Sequence, residues 1–158
     1  MESTIPSYYV ARPSRDLVTA AHQQITREWW RKRLEDFDVH ISDVVIDEVS
    51  LGDPEMARQR LELLKSFPLL SATDAARALT DALVKSGPLP QKAVRDAAHI
   101  ALSAVHGMDF LLTWNCRHIA NAEILRKVEA ICARHGVKCP VVCTPGELMG
   151  GEIDENNN

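Results

Sequence analysis

The 158-residue chain has no run of about 18 consecutive apolar residues, and its start, MESTIPSYYVARPSRD, has no basic stretch followed by an apolar one. A membrane-spanning helix and a secretory leader are therefore not expected, and the chain reads as soluble and cytoplasmic. Seven Gly and eight Pro are too few for a linker-like or fibrous protein. Lys and Arg total 18 against 22 Asp and Glu, so the net charge of -4 excludes a protein that holds nucleic acid through a global basic field. Neither G-x-G-x-x-G nor G-x-x-x-x-G-K-[ST] occurs, which argues against a dinucleotide or P-loop site. There is no C-x-x-C pair either. The cysteines, Cys116, Cys132, Cys139 and Cys143, lie in the last third beside Val, Ile and Trp, and are expected as reduced, buried thiols rather than disulfides or zinc ligands.

What is present fits one domain, residues 1–148, with a polar tail over 149–158 expected to be disordered. Apolar spacing predicts helices over 15–35 and 54–66, the latter opened by Asp53 and Pro54. Further helices are expected over 74–86 behind Thr73, over 92–106 closed by Gly107, and over 119–135 closed by Gly136. Short apolar runs predict strands at 3–5, 40–49, 69–71, 109–114 and 139–144. Strands alternating with helices imply βαβ units, hence an α/β fold with a mostly parallel sheet covered on both faces.

In such a sheet ligands gather beyond the carboxyl ends of the strands. Glu2, Glu48 and Asp96 are placed there, with Asn115 following the strand FLLTW. Carboxylates that converge without a basic partner repel, and a hard divalent cation with oxygen ligands, Mg²⁺ or Mn²⁺, resolves the conflict. His99 lies one helical turn after Asp96 on the same face, and His118 follows Asn115 in a turn. Both are candidates for phosphate or water contacts, although a histidine satisfied on a helix surface or beside a helix cap explains them as well. Trp29 and Trp30 among Arg27, Arg31, Lys32 and Arg33 suit RNA stacking, a dimer contact or an antitoxin helix, and equally a buried helix end.

Glu2-Ser3-Thr4 at the start, Ser42 through Glu48, Asp96 through Ala101, and Thr113 through His118 after an apolar strand occur in an order that resembles the PIN domain. The likeness is to VapC-type ribonucleases of bacterial toxin–antitoxin pairs, and it covers residues 1–148. It implies a three-layer α/β/α fold around a central, mostly parallel sheet and an Mg²⁺- or Mn²⁺-dependent endoribonuclease acting on RNA phosphodiesters. It further implies a toxin role with an antitoxin partner and a homodimer. Glu2, Glu48 and Asp96 match the metal-binding acids and Asn115 the fourth position of the site. Ser3, Thr4 and Thr113 match hydroxyl positions beside them.

Three departures stand out. Glu2 replaces the usual Asp and adds one methylene, about 1.5 Å of reach. Asn115 brings no charge. Only Met1 precedes the first acid, so the first strand is expected to be truncated and Glu2 to be displaced. These departures leave a catalytically weak PIN-fold interaction module as the alternative. On either reading Glu48 and Asp96 should come to the same edge of the fold, and coordinates placing them on opposite faces would end the metal-site reading.

Overall fold

Side-chain caps set most helix starts in this chain. Asp16 accepts from the Thr19 N–H and opens α1's successor, α2 (Leu17–Arg33), while the first helix, α1, spans Thr4–Val10. Asp53 accepts from the Met56 N–H ahead of Pro54 and opens α4 (Pro54–Leu64), and Thr73 accepts from the Ala76 N–H to open α5 (Asp74–Lys85). Asn121 accepts from Glu123 and Ile124 to open α7 (Ala122–Arg134). Gly107 and Gly136, at φ of 68° and 72°, follow α6 (Val94–Val105) and α7, where a side chain would be strained. The computed structural model describes residues 1–85 and 87–150.

The strands are shorter than expected: β1 is Ile41–Ser42, β2 Leu69–Leu70, β3 Phe110–Leu112 and β4 Val141–Cys143. The segment 40–49 corrects the sequence reading most. Only its first residues are extended, because the Ser42 hydroxyl accepts from the Val45 N–H and starts helix α3, Asp43–Val49. Helical spacing buries Val45 and Val49 together, a pattern that a Val- and Ile-rich run also presents to a strand reading. Segment 3–5 is likewise not a strand; Ser3 precedes α1. The expected single central sheet is instead two parallel pairs, β1·β2 and β3·β4.

Met1 and Glu2 touch both pairs. The Met1 nitrogen donates to the His40 carbonyl at 2.7 Å, and the Glu2 N–H donates to the Leu112 carbonyl at 3.0 Å. Successive residues of β3 point to opposite sides, as a pleated strand requires. Leu111 joins Leu79, Leu83, Ile100, Val128 and Ile131 from α5, α6 and α7. Leu112, with Cys143, joins Ile5 and Trp29 from α1 and α2. A third cluster unites Ile41, Val45, Val49 and Leu64.

The tryptophans of α2 take the buried option. Trp29 is 2% exposed and packs on Phe37, while Trp30, half-buried, packs on Phe67 and Tyr9. The Trp29 indole N–H is buried without a partner. All four cysteines are free thiols, but Cys116 is exposed against expectation, lying in a surface turn. Burial pushes the Cys143 thiol up to about 11. Leu148 and Met149 pack against the Ile5 cluster, so the ordered domain passes the expected boundary at 148, and the rest of the expected tail, 151–158, lies outside the described residues. Among the described residues no helix is long and apolar enough to cross a membrane.

One arginine ties α1 down. The Arg27 guanidinium donates to the Tyr9 and Ala11 carbonyls, which α1 leaves unpaired at its end. Arg27→Ala should lower stability by about 1.5–3 kcal/mol, the usual worth of hydrogen bonds to a charged group. Arg27→Lys should recover only part of this, since an ammonium cannot reproduce the planar fork. Urea unfolding of the two variants measures the difference.

Candidate functional site

Three elements bring the site together. Met1–Glu2 lies against the carboxyl end of β3, α3 carries Glu48 on its second turn, and α6 carries Asp96 and His99 one turn apart. Burial of Val45 and Val49 fixes the rotation of α3, and burial of Ala97, Ile100 and Ala101 fixes that of α6. The polar residues between those apolar positions are thereby turned toward each other.

Glu2 is only 4% exposed and well held, which corrects the expectation that a short first strand would displace it. Its Oε1 accepts from Ser3 Oγ at 2.8 Å, and its Oε2 accepts from Thr4 Oγ1 at 2.5 Å and from Thr113 Oγ1 at 2.7 Å. The direction of these bonds is set by backbone. Thr4 Oγ1 accepts from the Trp114 N–H and Thr113 Oγ1 from the Asn115 N–H, both at 2.9 Å, so each hydroxyl hydrogen is left for Glu2. Hydrogen bonds to neighbouring segments do the work that a longer strand was expected to do.

Glu48 Oε2 lies 2.9 Å from His99 Nε2, and the His99 ring is almost wholly buried. Burial alone would push the Glu48 carboxyl up, but the hydrogen bond from His99, the nearby Ser3 hydroxyl and the charges of His99 and Arg95 outweigh it and hold the group below the ordinary glutamate value. One ligand atom each from Glu2, Glu48 and His99 lies within 4.8 Å of the other two, the one such set among the described residues. Metal–oxygen distances of about 2.0–2.1 Å put neighbouring octahedral donors about 3 Å apart, so the three side chains would draw closer together around one ion. Neither carboxylate has a Lys or Arg within salt-bridge distance among the described residues. Two acids and an imidazole without a basic partner form a donor set that fits a divalent cation.

The expected third acid sits beside this set with other partners. Asp96 Oδ1 accepts from Asn115 Nδ2 at 2.9 Å, and Asp96 Oδ2 lies 2.7 Å from His118 Nδ1. Asn115 spends its own carbonyl on the His118 N–H at 3.1 Å, closing the turn after β3. Asn115 therefore orients Asp96 and shapes the turn rather than offering a free ligand oxygen. Glu48 and Asp96 do come to one region, through His99 on the turn of α6 next to Asp96.

His99 is the residue whose place the sequence reading underrated. Its three-residue spacing from Asp96 put it on the right face, but nothing in the sequence shows which neighbour faces α3. Beside the acids a stack of rings was missed altogether. His22 lies parallel to Trp114 at 3.9 Å and near Tyr8 at 6.1 Å, with the Trp114 indole N–H held by Thr26 Oγ1.

The Glu48–His99 bond has a sign that can be measured. Because the folded-state carboxyl is held below the ordinary value of 4.5, its stabilising contribution is complete above that pH and is lost as pH falls through the lower folded value. Urea midpoints without divalent ions should fall more steeply for the wild type than for Glu48→Gln as pH drops from about 5 to 3. Parallel curves would mean that the bond does not stabilise the fold.

No protein-family model matches the chain, and comparison with curated proteins and with solved structures gives no match either.

Proposed function

We propose that this chain is a divalent-metal-dependent endoribonuclease of the PIN type, with Glu2, Glu48 and His99 holding the ion and Asp96, Asn115 and His118 flanking it. The observation that carries the reading is the Glu2–Glu48–His99 set, with donor atoms mutually within 4.8 Å at the carboxyl end of β3. The hydrogen bonds of Met1 and Glu2 to opposite sides support a five-part parallel arrangement, β2–β1–Met1/Glu2–β3–β4, inside three layers. Leu111 and Leu112 facing different helix clusters support the same arrangement.

When bound, Mg²⁺ or Mn²⁺ would lower the pKa of a coordinated water and offset charge on a phosphodiester oxygen. The chain's own residues supply the rest. Glu2, fixed by three hydroxyls, and Glu48 are anionic donors, and an ion held between Glu48 and His99 would replace the hydrogen bond they now share. Asp96 holds His118 by Nδ1, which leaves Nε2 as the free ring nitrogen, able to take a proton from the attacking water or give one to the leaving oxygen. Asn115 keeps Asp96 from rotating away. The partly exposed Trp114–His22–Tyr8 stack offers faces on which an unpaired base can rest, and its join to Thr4 through the Trp114 N–H ties it to the Glu2 site. The resemblance that points to RNA also points to a toxin with an antitoxin partner and to a homodimer, which we propose as the cellular setting.

Cleavage of a single-stranded RNA should require Mg²⁺ or Mn²⁺ and stop in chelator. Glu48→Gln should abolish metal binding in calorimetry, since a hard cation loses an anionic donor. Asp96→Asn and His118→Ala should each cut the rate by about 10²–10⁴, the range for proton-transfer groups, while leaving metal affinity nearly unchanged. Asn115→Ala should do less. Metal binding without cleavage in the wild type would favour the interaction module, and cleavage that persists in chelator would overturn the metal reading.

A further inference from the structure

The stripe of α6 that carries His99 begins with an arginine. Many cations of this chain are committed elsewhere: five Lys and Arg side chains pair with an acid three or four residues away, and the Arg27 and Arg60 guanidinium groups donate to backbone carbonyls. Arg95 is not committed in this way. It is exposed in the first turn of α6, and among the described residues its side chain has neither an acid within salt-bridge distance nor a hydrogen-bond acceptor.

Helix spacing fixes its place. Arg95 and His99 are four residues apart and share one stripe of α6, with Arg95 about 6 Å nearer the helix start. Asp96 is turned about 100° from Arg95 and faces Asn115 and His118 instead. His99 Nε2 meets Glu48, and Arg95 is close enough for its charge to act on the same carboxylate. The start of α6 is its outer end, because α6 leads through Gly107 into the start of β3 while the acid set lies at the carboxyl end of that strand. Helix side chains lean toward the helix start, which carries the guanidinium outward from His99 rather than over it. The Trp114–His22–Tyr8 rings are tied to Glu2 through Thr4. The acid pair is thus flanked by a cation on the Glu48 side and by ring faces on the Glu2 side.

We propose that Arg95 holds the phosphate next to the scissile one, which makes the substrate an oligonucleotide with at least two consecutive phosphates rather than a dinucleotide. The assignment rests on the ribonuclease reading above. The scissile phosphate lies where Glu2, Glu48 and His99 converge, and a guanidinium one helical turn further out is displaced by a step comparable with that between successive phosphates of an extended strand. The planar fork of Arg meets two phosphate oxygens at once. Because the held phosphate does not react, the contact is the same in the ground and transition states. It serves affinity and not the chemical step.

The salt dependence of RNA binding reads this contact without any cleavage. Binding of a fluorescent, unstructured RNA oligonucleotide to the full-length chain is followed in chelator over a range of KCl concentrations. Arg95→Ala should weaken binding by about tenfold and reduce the slope of log affinity against log salt by about 0.7, the value for one phosphate on a single strand. Arg95→Lys should keep the slope. Arg134→Ala, where α7 leads into the start of β4, should change neither quantity. In Mg²⁺, Arg95→Ala should raise KM for the oligonucleotide by a similar factor with kcat little changed, and should leave KM for a dinucleoside monophosphate, which has one phosphate, as it is. Both arginines are exposed, so the melting temperatures of the variants should match that of the wild type. Equal slopes for the wild type and Arg95→Ala, or an equal rise in KM for the one-phosphate substrate, would overturn the assignment, and metal-dependent cleavage in the same samples would then leave the ribonuclease reading intact. Salt-dependent binding that is lost with Arg95, in a chain that cleaves nothing in Mg²⁺ or Mn²⁺, would sink that reading and keep Arg95 as a phosphate contact.

Discussion

A carboxylate buried with no Lys or Arg paired to it is the constraint on which the rest of this structure turns. Taking Glu2 out of water costs several kcal/mol unless its oxygens are satisfied. Ser3, Thr4 and Thr113 satisfy them, and the bonds leave no slack. Thr4 is the first residue of α1, Thr113 follows β3, and their hydroxyls are aimed by the N–H groups of Trp114 and Asn115. The start of α1, the end of β3 and the turn carrying His118 are therefore placed by one side chain. Neutral hydroxyls supply hydrogen bonds to the Glu2 carboxylate without bringing any charge of their own.

Two histidines meet two carboxylates in this region, with different consequences. His99 is nearly sealed from solvent against Glu48, whereas the His118 and Asp96 side chains are 18% and 20% exposed. The sealed pair is suited to holding geometry, and the half-open pair to exchanging a proton with something that enters. Asn115, neutral and committed to the turn, links the second pair to Thr113 and so to Glu2.

Much of this was legible in the sequence because it depends on local chemistry. Asp53 before Pro54, Thr73 before α5, and Gly107 and Gly136 after α6 and α7 act within a few residues, and the helices they bound appear close to where their spacing puts them. Segment 40–49 was misread because a Val- and Ile-rich run favours a strand until the Ser42 cap is weighed against it. The candidate residues Glu2, Glu48, Asp96 and His118 are found together, but which of them touch was not legible. Selection of His99 over Asp96 as the neighbour of Glu48 depends on the rotation of α6, fixed by core residues from three other elements. The hold on Glu2 was invisible for the same reason, since Thr113 lies far from it along the chain.

The order in which the donors occur along the chain has a consequence for synthesis. Glu2 is made before Glu48 and His99, and Thr113 and His118 only after β3. Domains fold as they emerge, from the amino end onward. A nascent chain that ends before residue 113 can form α2 through α4, yet it lacks the hydroxyl that closes the Glu2 cage and the histidine that faces Asp96. A cluster assembled from both ends of the sequence cannot exist on a half-made polypeptide.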